Sequence, residues 1–187
     1  ADILIISSPP HIQSGVTTRK IMLHVIIALI PAAIASVIIF GPKALLIIAV
    51  SIASCEASEY ICRKVMKREN TISDLSAVVT GLLLAFNVPV GVNPFIVIFG
   101  GVVAIVVVKQ MFGGIGQNFV NPALTSRIIL MSSFPSQMST CNAPFYYLNQ
   151  TDAMTTASPL GILKTGAEGT MPNLLNMFVG VRAGCLG

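Results

Sequence analysis

Long apolar runs separated by short polar segments dominate the first two thirds of the chain. The run "IMLHVIIALIPAAIASVIIF" at 21–40 is close to the roughly 20 residues that cross the hydrocarbon core of a bilayer. A second run, at 44–62, follows after a Gly-Pro-Lys turn. This pattern predicts a helical hairpin of two membrane spans.

Three further apolar runs follow, and polar and turn-forming residues interrupt them. They lie at 71–90, at 94–109 and in a fifth run that ends near residue 134. The run at 71–90 is short for a full span and stops at an Asn-x-Pro. The second interruption contains Gly113, Gly114, Gly116, Asn118, Asn121 and Pro122. At membrane depth, irregular backbone is tolerated only inside protein or beside a cavity. The interruptions therefore predict either discontinuous helices, which transporters use for binding, or plain tight turns between spans.

The character of the chain changes after residue 134. A polar loop at 135–172 leads to a sixth apolar element that starts within 173–187, and we expect more of the protein beyond it. The predicted organisation is an N-terminal segment at 1–20, a bundle of about five spans at 21–134, the loop, and the start of the next span. The fold class is an all-α integral membrane protein, a multi-span helical bundle with broken or re-entrant helices.

Composition and charge support the membrane assignment and orient the chain. Hydrophobic residues make up 54% and charged residues only 10%, against about 25% charged in a soluble domain. The densest basic run, "RKVMKREN" at 63–70, follows the second span, whereas the loop has no Lys or Arg until Lys164. The positive-inside rule then predicts a multi-pass membrane protein with a cytoplasmic N-terminus and an extracytoplasmic loop. The basic residues flank spans and form no nucleic-acid footprint.

Two carboxylates lie within the second span and are candidates for ion coupling. A charged group at membrane depth is costly unless it is paired or hydrated, so intramembrane acids are functional hypotheses by default. Glu56 and Glu59 are three residues apart and share a helix face. Glu59 is close enough to the basic loop to pair with Arg63, which favours Glu56 as the functional acid.

Polar residues around the second interruption are further candidates for a pathway. Asn118 and Asn121 lie in the interruption, and Arg127 follows it in the fifth span. The guanidinium of Arg127 could hold a phosphate or carboxylate, or mark the cytoplasmic end of a late-starting helix. The four cysteines lack the spacing of a zinc or iron–sulfur site, so no metal is predicted.

The stretch "DAMTTAS" at 152–158 puts three hydroxyl residues and one carboxylate into the polar loop. Hydroxyl side chains in an exposed loop are usually only solvated. A serine-hydrolase role would need a base within reach, but His11 and His24 belong to the opposite side of the membrane on this topology. The remaining possibility is that a hydroxyl accepts a phosphoryl ester.

The same stretch resembles the acceptor motif of flavin transferases, Asp-x-x-Ser/Thr-Gly/Thr-Ala-Ser/Thr. These enzymes join FMN through its phosphate to the last hydroxyl residue. The matching residues are Asp152, Thr155, Thr156, Ala157 and Ser158, with Thr156 where Gly is usual and Ser158 where Thr is usual. The resemblance implies that Ser158 is the covalent FMN acceptor, with Thr156 as the second choice.

Motifs along the whole chain, in order, resemble one family. "SSPPHI", "SDLSAVVTGLLLAFNVP", "FGGIGQNFVNPA" and "TTASPL" followed by "MPNLLNMFVG" are similar to the D-type membrane component of the Rnf complex and to the B-type component of the sodium-pumping NADH:quinone reductase. The resemblance implies a membrane subunit, not catalytic alone, of a ferredoxin:NAD⁺ oxidoreductase that couples electron transfer to Na⁺ or H⁺ translocation.

The resemblance also implies a fold and partners. The fold would be the first half of an inverted-repeat bundle similar to urea and ammonium transporters, and a second flavin could be completed by the missing half. Expected partners are the other Rnf subunits, the bilayer and a flavin transferase. A competing interpretation is a channel or solute transporter without flavin, in which Glu56, Asn118, Asn121 and Arg127 line the pathway. A third is a membrane scaffold whose flavin site has decayed.

Overall fold

The computed structural model describes residues 16–67, 72–148, 155–156, 163–164, 174–181 and 183–187. Helices dominate this part of the chain, and the only strands in it are two short ones. Two of the described helices, the first and the second, are long and apolar enough to span a membrane.

Those two helices, α1 (Thr18–Phe40) and α2 (Pro42–Val65), form the predicted hairpin. Gly41 joins them with a φ of +76°, a conformation that favours glycine, and Pro42 starts α2 where its missing N–H has no helical partner to lose. A Cβ on Gly41 would lie 2.7 Å from Cδ1 of Tyr147. The turn is therefore closed by an aromatic ring from a distant part of the chain.

The second helix packs most extensively against α3 (Ser76–Phe86), which a short 3₁₀ helix (Ile72–Asp74) precedes. Small residues let the two backbones approach: a Cβ on Gly81 would lie 2.8 Å from Cα of Ile52. The hydroxyl of Ser51 donates to the carbonyl of Gly81 at 2.7 Å. Close approach through small residues plus an interhelical hydrogen bond is the usual way in which helices associate within a bilayer.

The third helix has 11 residues and is about 16 Å long, so it is too short to cross a bilayer core alone. It ends at Asn87, and α4 (Pro94–Val102) begins after Asn93, whose side chain accepts from the N–H of Phe95. The segment between them is irregular, as the Asn-x-Pro pattern predicts. We call residues 87–93 the first interruption.

The fourth helix continues without a break into a π-helix (Val103–Gln110), in which hydrogen bonds run from i to i+5. The N–H of Met111 accordingly donates to the carbonyl of Val106 at 3.2 Å. The second interruption, residues 111–121, leads to α5 (Pro122–Ser133). The side chain of Asn121 caps α5 by accepting from the N–H groups of Ala123 and Leu124.

Several short elements follow α5 and complete the described chain. They are α6 (Pro135–Ser139), β1 (Cys141–Asn142), a 3₁₀ helix (Tyr146–Leu148), β2 (Thr155–Thr156) and α7 (Leu174–Val179). The last residues run back along the first interruption: the N–H of Leu186 donates to the carbonyl of Val88, and that of Gly187 to the carbonyl of Phe86. These bonds satisfy backbone groups that the end of α3 leaves without helical partners.

The main hydrophobic core lies where the start of α2, the end of α3, the first interruption and α4 meet. Its buried members include Ile47, Leu84, Val88, Val97 and Leu130. By contrast, only Ser36 and Phe40 of α1 are buried, and large aliphatic side chains cover the rest of that helix. The surface of α1 is therefore suited to lipid or to other apolar helices.

Candidate functional site

The stretch that resembles a flavin-acceptor motif is held by a short antiparallel pairing. Cys141 of β1 lies opposite Thr156 of β2, and Asn142 lies opposite Thr155. The backbone of the motif is thus fixed immediately before its last two residues. Asp152, Ala157 and Ser158 lie outside the described residues.

The chain that follows β1 is fastened to the hairpin turn between α1 and α2. The N–H of Phe145 donates to the carbonyl of Ile39 at 2.8 Å, and the hydroxyl of Tyr147 donates to the carbonyl of Ile38 at 2.7 Å. The ammonium of Lys43 lies 5.6 Å from the centre of the Tyr146 ring, within cation–π distance. These contacts place the strand pair at the Gly41 end of α2, opposite the basic residues that follow Cys62.

The strand pair also packs on the first interruption. Asn142 is buried, and its Oδ1 would lie 2.5 Å from a Cβ on Gly91, so a side chain at Gly91 would displace the Asn142 amide. Cys185 forms an isolated antiparallel bridge with Pro89. Burial raises the pKa of the Cys141 thiol, and Cys185 raises it further. Cys141 is therefore a neutral thiol at physiological pH.

Arg127 of α5 reaches the same interruption from the opposite side. Its Nη1 donates to Oδ1 of Asn87 at 2.8 Å, and its Nη2 lies 3.6 Å from Sγ of Cys185. The amide of Asn87 in turn donates to the carbonyl of Leu83. From the sequence, Arg127 could be either an anion ligand or the mark of a helix end. In the structure, its side chain connects α5 with the end of α3 and with the segment around Cys185.

Replacing Arg127 by Ala should destabilise the bundle. A hydrogen bond to a charged donor contributes about 1.5–3 kcal/mol, so the purified protein should melt several degrees lower. Ile128→Ala is the control, because Ile128 is 68% exposed on the same helix. Thermal unfolding in detergent gives the melting temperature of each variant. If Arg127→Ala melts at the same temperature as Ile128→Ala, the contacts of Arg127 add no stability.

A second polar cluster is buried at the other end of α2. Lys109 of the π-helix is 2% exposed and Glu59 is 0% exposed, and Nζ of Lys109 lies 2.7 Å from Oε2 of Glu59. The same ammonium donates to Oγ of Ser76 at 2.6 Å. The amide of Gln110 donates to Oε1 of Glu59 at 3.1 Å. We call Glu59, Ser76, Lys109 and Gln110 the buried polar cluster.

Arg63 borders this cluster from the next turn of α2. Its Nε lies 3.7 Å from Oε1 of Glu59, and this contact confirms the predicted pairing of Glu59 with Arg63. Two consecutive residues at the end of the π-helix, Lys109 and Gln110, both bond to the carboxylate of Glu59. Glu59 therefore lies between two cations. Each of its carboxylate oxygens accepts a hydrogen bond and lies within ion-pair distance of a cation.

The other predicted pathway residues occupy separate positions. Glu56 is half-buried and one turn before Glu59. Asn121 caps α5, and the Asn118 amide, oriented to satisfy its neighbours, donates to the carbonyls of Lys109 at 3.3 Å and Gly114 at 3.1 Å. Asn118 therefore closes the end of the π-helix directly beside the buried polar cluster. The structure thus brings Asn118 to the backbone of Lys109 and places Arg127 at the first interruption.

Sequence reasoning missed Lys109 as a site residue. Its position after "AIVVV" is typical of a cytoplasmic span boundary, and its partner lies 50 residues earlier in the sequence. One feature of the sequence could have identified Lys109. A carboxylate at Glu59 inside α2 requires a cation, and Lys109 is the cation at the end of an apolar run that packs against α2.

Comparison with known proteins finds relatives that are components of ion-translocating oxidoreductase complexes. It is 45% identical over 98% of its length to the D component of the Na⁺-translocating ferredoxin:NAD⁺ oxidoreductase complex of Acetobacterium woodii, covering 57% of that protein. It is 39% identical over its whole length to the D component of the proton-translocating ferredoxin:NAD⁺ oxidoreductase complex of Clostridium ljungdahlii, covering 58%. A 34% match over 88% of the chain covers 46% of the D component of the ion-translocating oxidoreductase complex of Actinobacillus succinogenes.

The chain therefore spans about half the length of the curated relatives that it matches. A family model described as "NQR2, RnfD, RnfE family" matches residues 5–187. This match extends from the segment before α1 to the last residue and includes both interruptions and the hydroxyl-rich loop. The similarity to the D-type component of the Rnf complex that the sequence motifs indicate is confirmed, and the chain belongs to the NQR2, RnfD, RnfE family of membrane proteins.

Proposed function

We propose that this chain is the flavin-bearing part of a membrane subunit in an ion-translocating ferredoxin:NAD⁺ oxidoreductase complex. FMN is joined through its phosphate to Ser158, with Asp152, Thr155, Thr156 and Ala157 forming the motif that a flavin transferase reads. The observation that carries the proposal is this motif, held by the β1–β2 pairing against the first interruption. The names of the relatives supply the complex and its reaction.

The flavin loop faces the extracytoplasmic side of an inner membrane, and the N-terminus faces the cytoplasm. Two features support this orientation. The loop is fastened beside Gly41, at one end of α2, and the basic residues Arg63, Lys64 and Lys67 lie at the other end. Basic residues remain on the cytoplasmic side of spans.

The described bundle forms the first of two inverted repeats, in a fold similar to urea and ammonium transporters. Two irregular segments, 87–93 and 111–121, support this assignment, because transporters of this kind bind ligands at interrupted helices. The length that the relatives have beyond the matched part would hold the second repeat and would complete a second flavin site.

Covalent attachment is tested on the complete protein produced together with its flavin transferase. Flavin fluorescence that remains with this subunit on a denaturing gel, and an FMN-sized mass on the peptide that contains Ser158, are the expected results. A peptide covering 149–160 with no added mass would contradict the proposal and would favour a channel or transporter without flavin.

The buried polar cluster is where we place ion coupling. Na⁺ or H⁺, the two ions in the names of the relatives, would compete with the ammonium of Lys109 for the carboxylate of Glu59. A carboxylate with a nearby hydroxyl offers the oxygen ligands that a hard cation prefers. A proton would neutralise Glu59 and release Lys109 in the same way.

Glu59→Gln should therefore uncouple electron transfer from ion movement. In sealed vesicles, ion transport per NADH formed should fall several-fold. Both rates are normalised to the flavin content of the assembled complex, because loss of the Glu59 charge leaves Lys109 buried without its main partner and lowers stability as well. Glu56→Gln is the matched control, because Glu56 lies one turn earlier on α2 and is only half-buried. Uncoupling by Glu56→Gln with normal coupling in Glu59→Gln would assign the role to Glu56, as the sequence pattern favours.

A further inference from the structure

A large cavity beside the strand pair lies between the start of α2, the first interruption and α6. Its volume is about 520 Å³, within the roughly 300–1,000 Å³ typical of ligand and cofactor pockets. Its lining includes Lys43, Leu46 and Gln137, while the buried side chains of Ile47, Val90 and Val92 add little accessible surface. Apolar walls with a few polar groups suit a flat, heteroaromatic ligand.

Gly91 joins the cavity to the strand pair that holds the proposed flavin loop. Gly91 lines the cavity and is in contact with Asn142, and Asn142 lies opposite Thr155 in the strand pair. Ser158 is three residues after Thr155, so the chain limits their Cα separation to roughly 10 Å. A group carried on Ser158 is thereby tethered close to the cavity at high effective concentration.

The charge of the cavity fits an electron-rich occupant. Among the residues that the structure describes, the carboxylate of Glu59 takes part in the ion pairs and no carboxylate pairs with Lys43. Lys43 instead lies over the ring of Tyr146. Its side chain is exposed, so its ammonium is available to a ligand with negative or carbonyl-rich edges.

We propose that this cavity, lined by Lys43, Leu46, Ile47, Val90 and Gln137, is the seat of the flavin ring carried on Ser158. The inference rests on the proposed function and names the residues around the cofactor. Leu46, which is half exposed, would provide an apolar contact for the ring, and Lys43 would provide a positive charge beside it. A fixed cation favours the reduced state of a flavin, which carries more negative charge, so Lys43 raises the midpoint potential.

Two matched pairs of variants in the complete, flavinylated complex test the proposal. Leu46→Phe narrows the cavity that Leu46 lines, whereas Leu45→Phe makes the same change at the neighbouring residue, which is similarly exposed (59% against 50%) and does not line the cavity. Lys43→Gln removes the cation beside the cavity. Lys64→Gln removes a comparable cation at the other end of α2, where the Lys64 ammonium lies 5.8 Å from the centre of the Tyr60 ring. The measurements are flavin content, quenching of flavin fluorescence by iodide, and midpoint potential by redox titration.

All four variants should retain covalent flavin. Iodide quenching should rise several-fold in Leu46→Phe but not in Leu45→Phe, and the midpoint potential should fall in Lys43→Gln but not in Lys64→Gln and be restored in Lys43→Arg. If both members of each pair respond equally while flavin is present, the ring lies elsewhere and this inference is overturned; a lipid or quinone in the cavity would give that result. Wild-type protein without the adduct would overturn the proposed function, and this inference with it.

Discussion

Ser158→Ala should abolish the covalent flavin of this subunit completely, whereas Thr156→Ala should retain most of it. A phosphoester requires a hydroxyl oxygen, and alanine has none. The measurement is flavin fluorescence of the denatured subunit on a gel, with peptide mass spectrometry of the loop. Ser158→Thr is the conservative variant and should be flavinylated, because a threonine hydroxyl forms the same ester.

The register of β1 and β2 is the reason for expecting Thr156 to be the weaker acceptor. Its backbone is paired with Cys141, so it belongs to the segment that holds the motif in place. Loss of the adduct in Thr156→Ala with retention in Ser158→Ala would reverse the assignment and would identify Thr156 as the acceptor. Loss in both variants would indicate that the transferase needs both hydroxyl groups.

Lys109→Met should be among the most destabilising single changes in the described bundle. Removing one partner of a buried ion pair leaves the other charge without full compensation, which typically costs about 3–5 kcal/mol. Arg63 is 3.7 Å from Glu59 and compensates only in part. The expected result is a large loss of folded protein in detergent and a much lower melting temperature.

The double variant Lys109→Met/Glu59→Gln should recover most of that stability, because it removes both charges together. Replacing a buried ion pair by uncharged groups of similar volume is often neutral or stabilising. Lys64→Met, at an exposed position on α2, is the control for the loss of one positive charge. Additive losses in the double variant would show that Lys109 and Glu59 do not interact energetically.

Much of the fold could be predicted from hydrophobic runs and their interruptions. The lengths of the first two runs predict α1 and α2, and Asn87 and Asn121 mark segments where helices do end or begin. These features are local, since they depend on span length, on proline and on asparagine caps. Glu59 could be identified as a costly charge from its position within a span.

The contacts that build the candidate site could not be predicted in the same way. Lys109 and Glu59 are 50 residues apart, and the valine-rich run before Lys109 has no period that distinguishes a π-helix from an α-helix. The pairing of Cys141 with Thr156 involves two residues on each strand, too few for an alternating pattern. Each of these contacts depends on how helices pack, which a single sequence does not specify.

The π-helix at Val103–Gln110 makes the length of this segment matter more than its composition. Exchanging one of its valines for another aliphatic residue keeps the backbone count, and Lys109 stays opposite Glu59. Ordinary α-helical winding of the same number of residues would turn Lys109 farther around the helix axis, away from Glu59, with no chemical group altered. Homologous proteins should therefore vary freely in aliphatic residues at 103–108 and conserve the number of residues between Gly101 and the lysine.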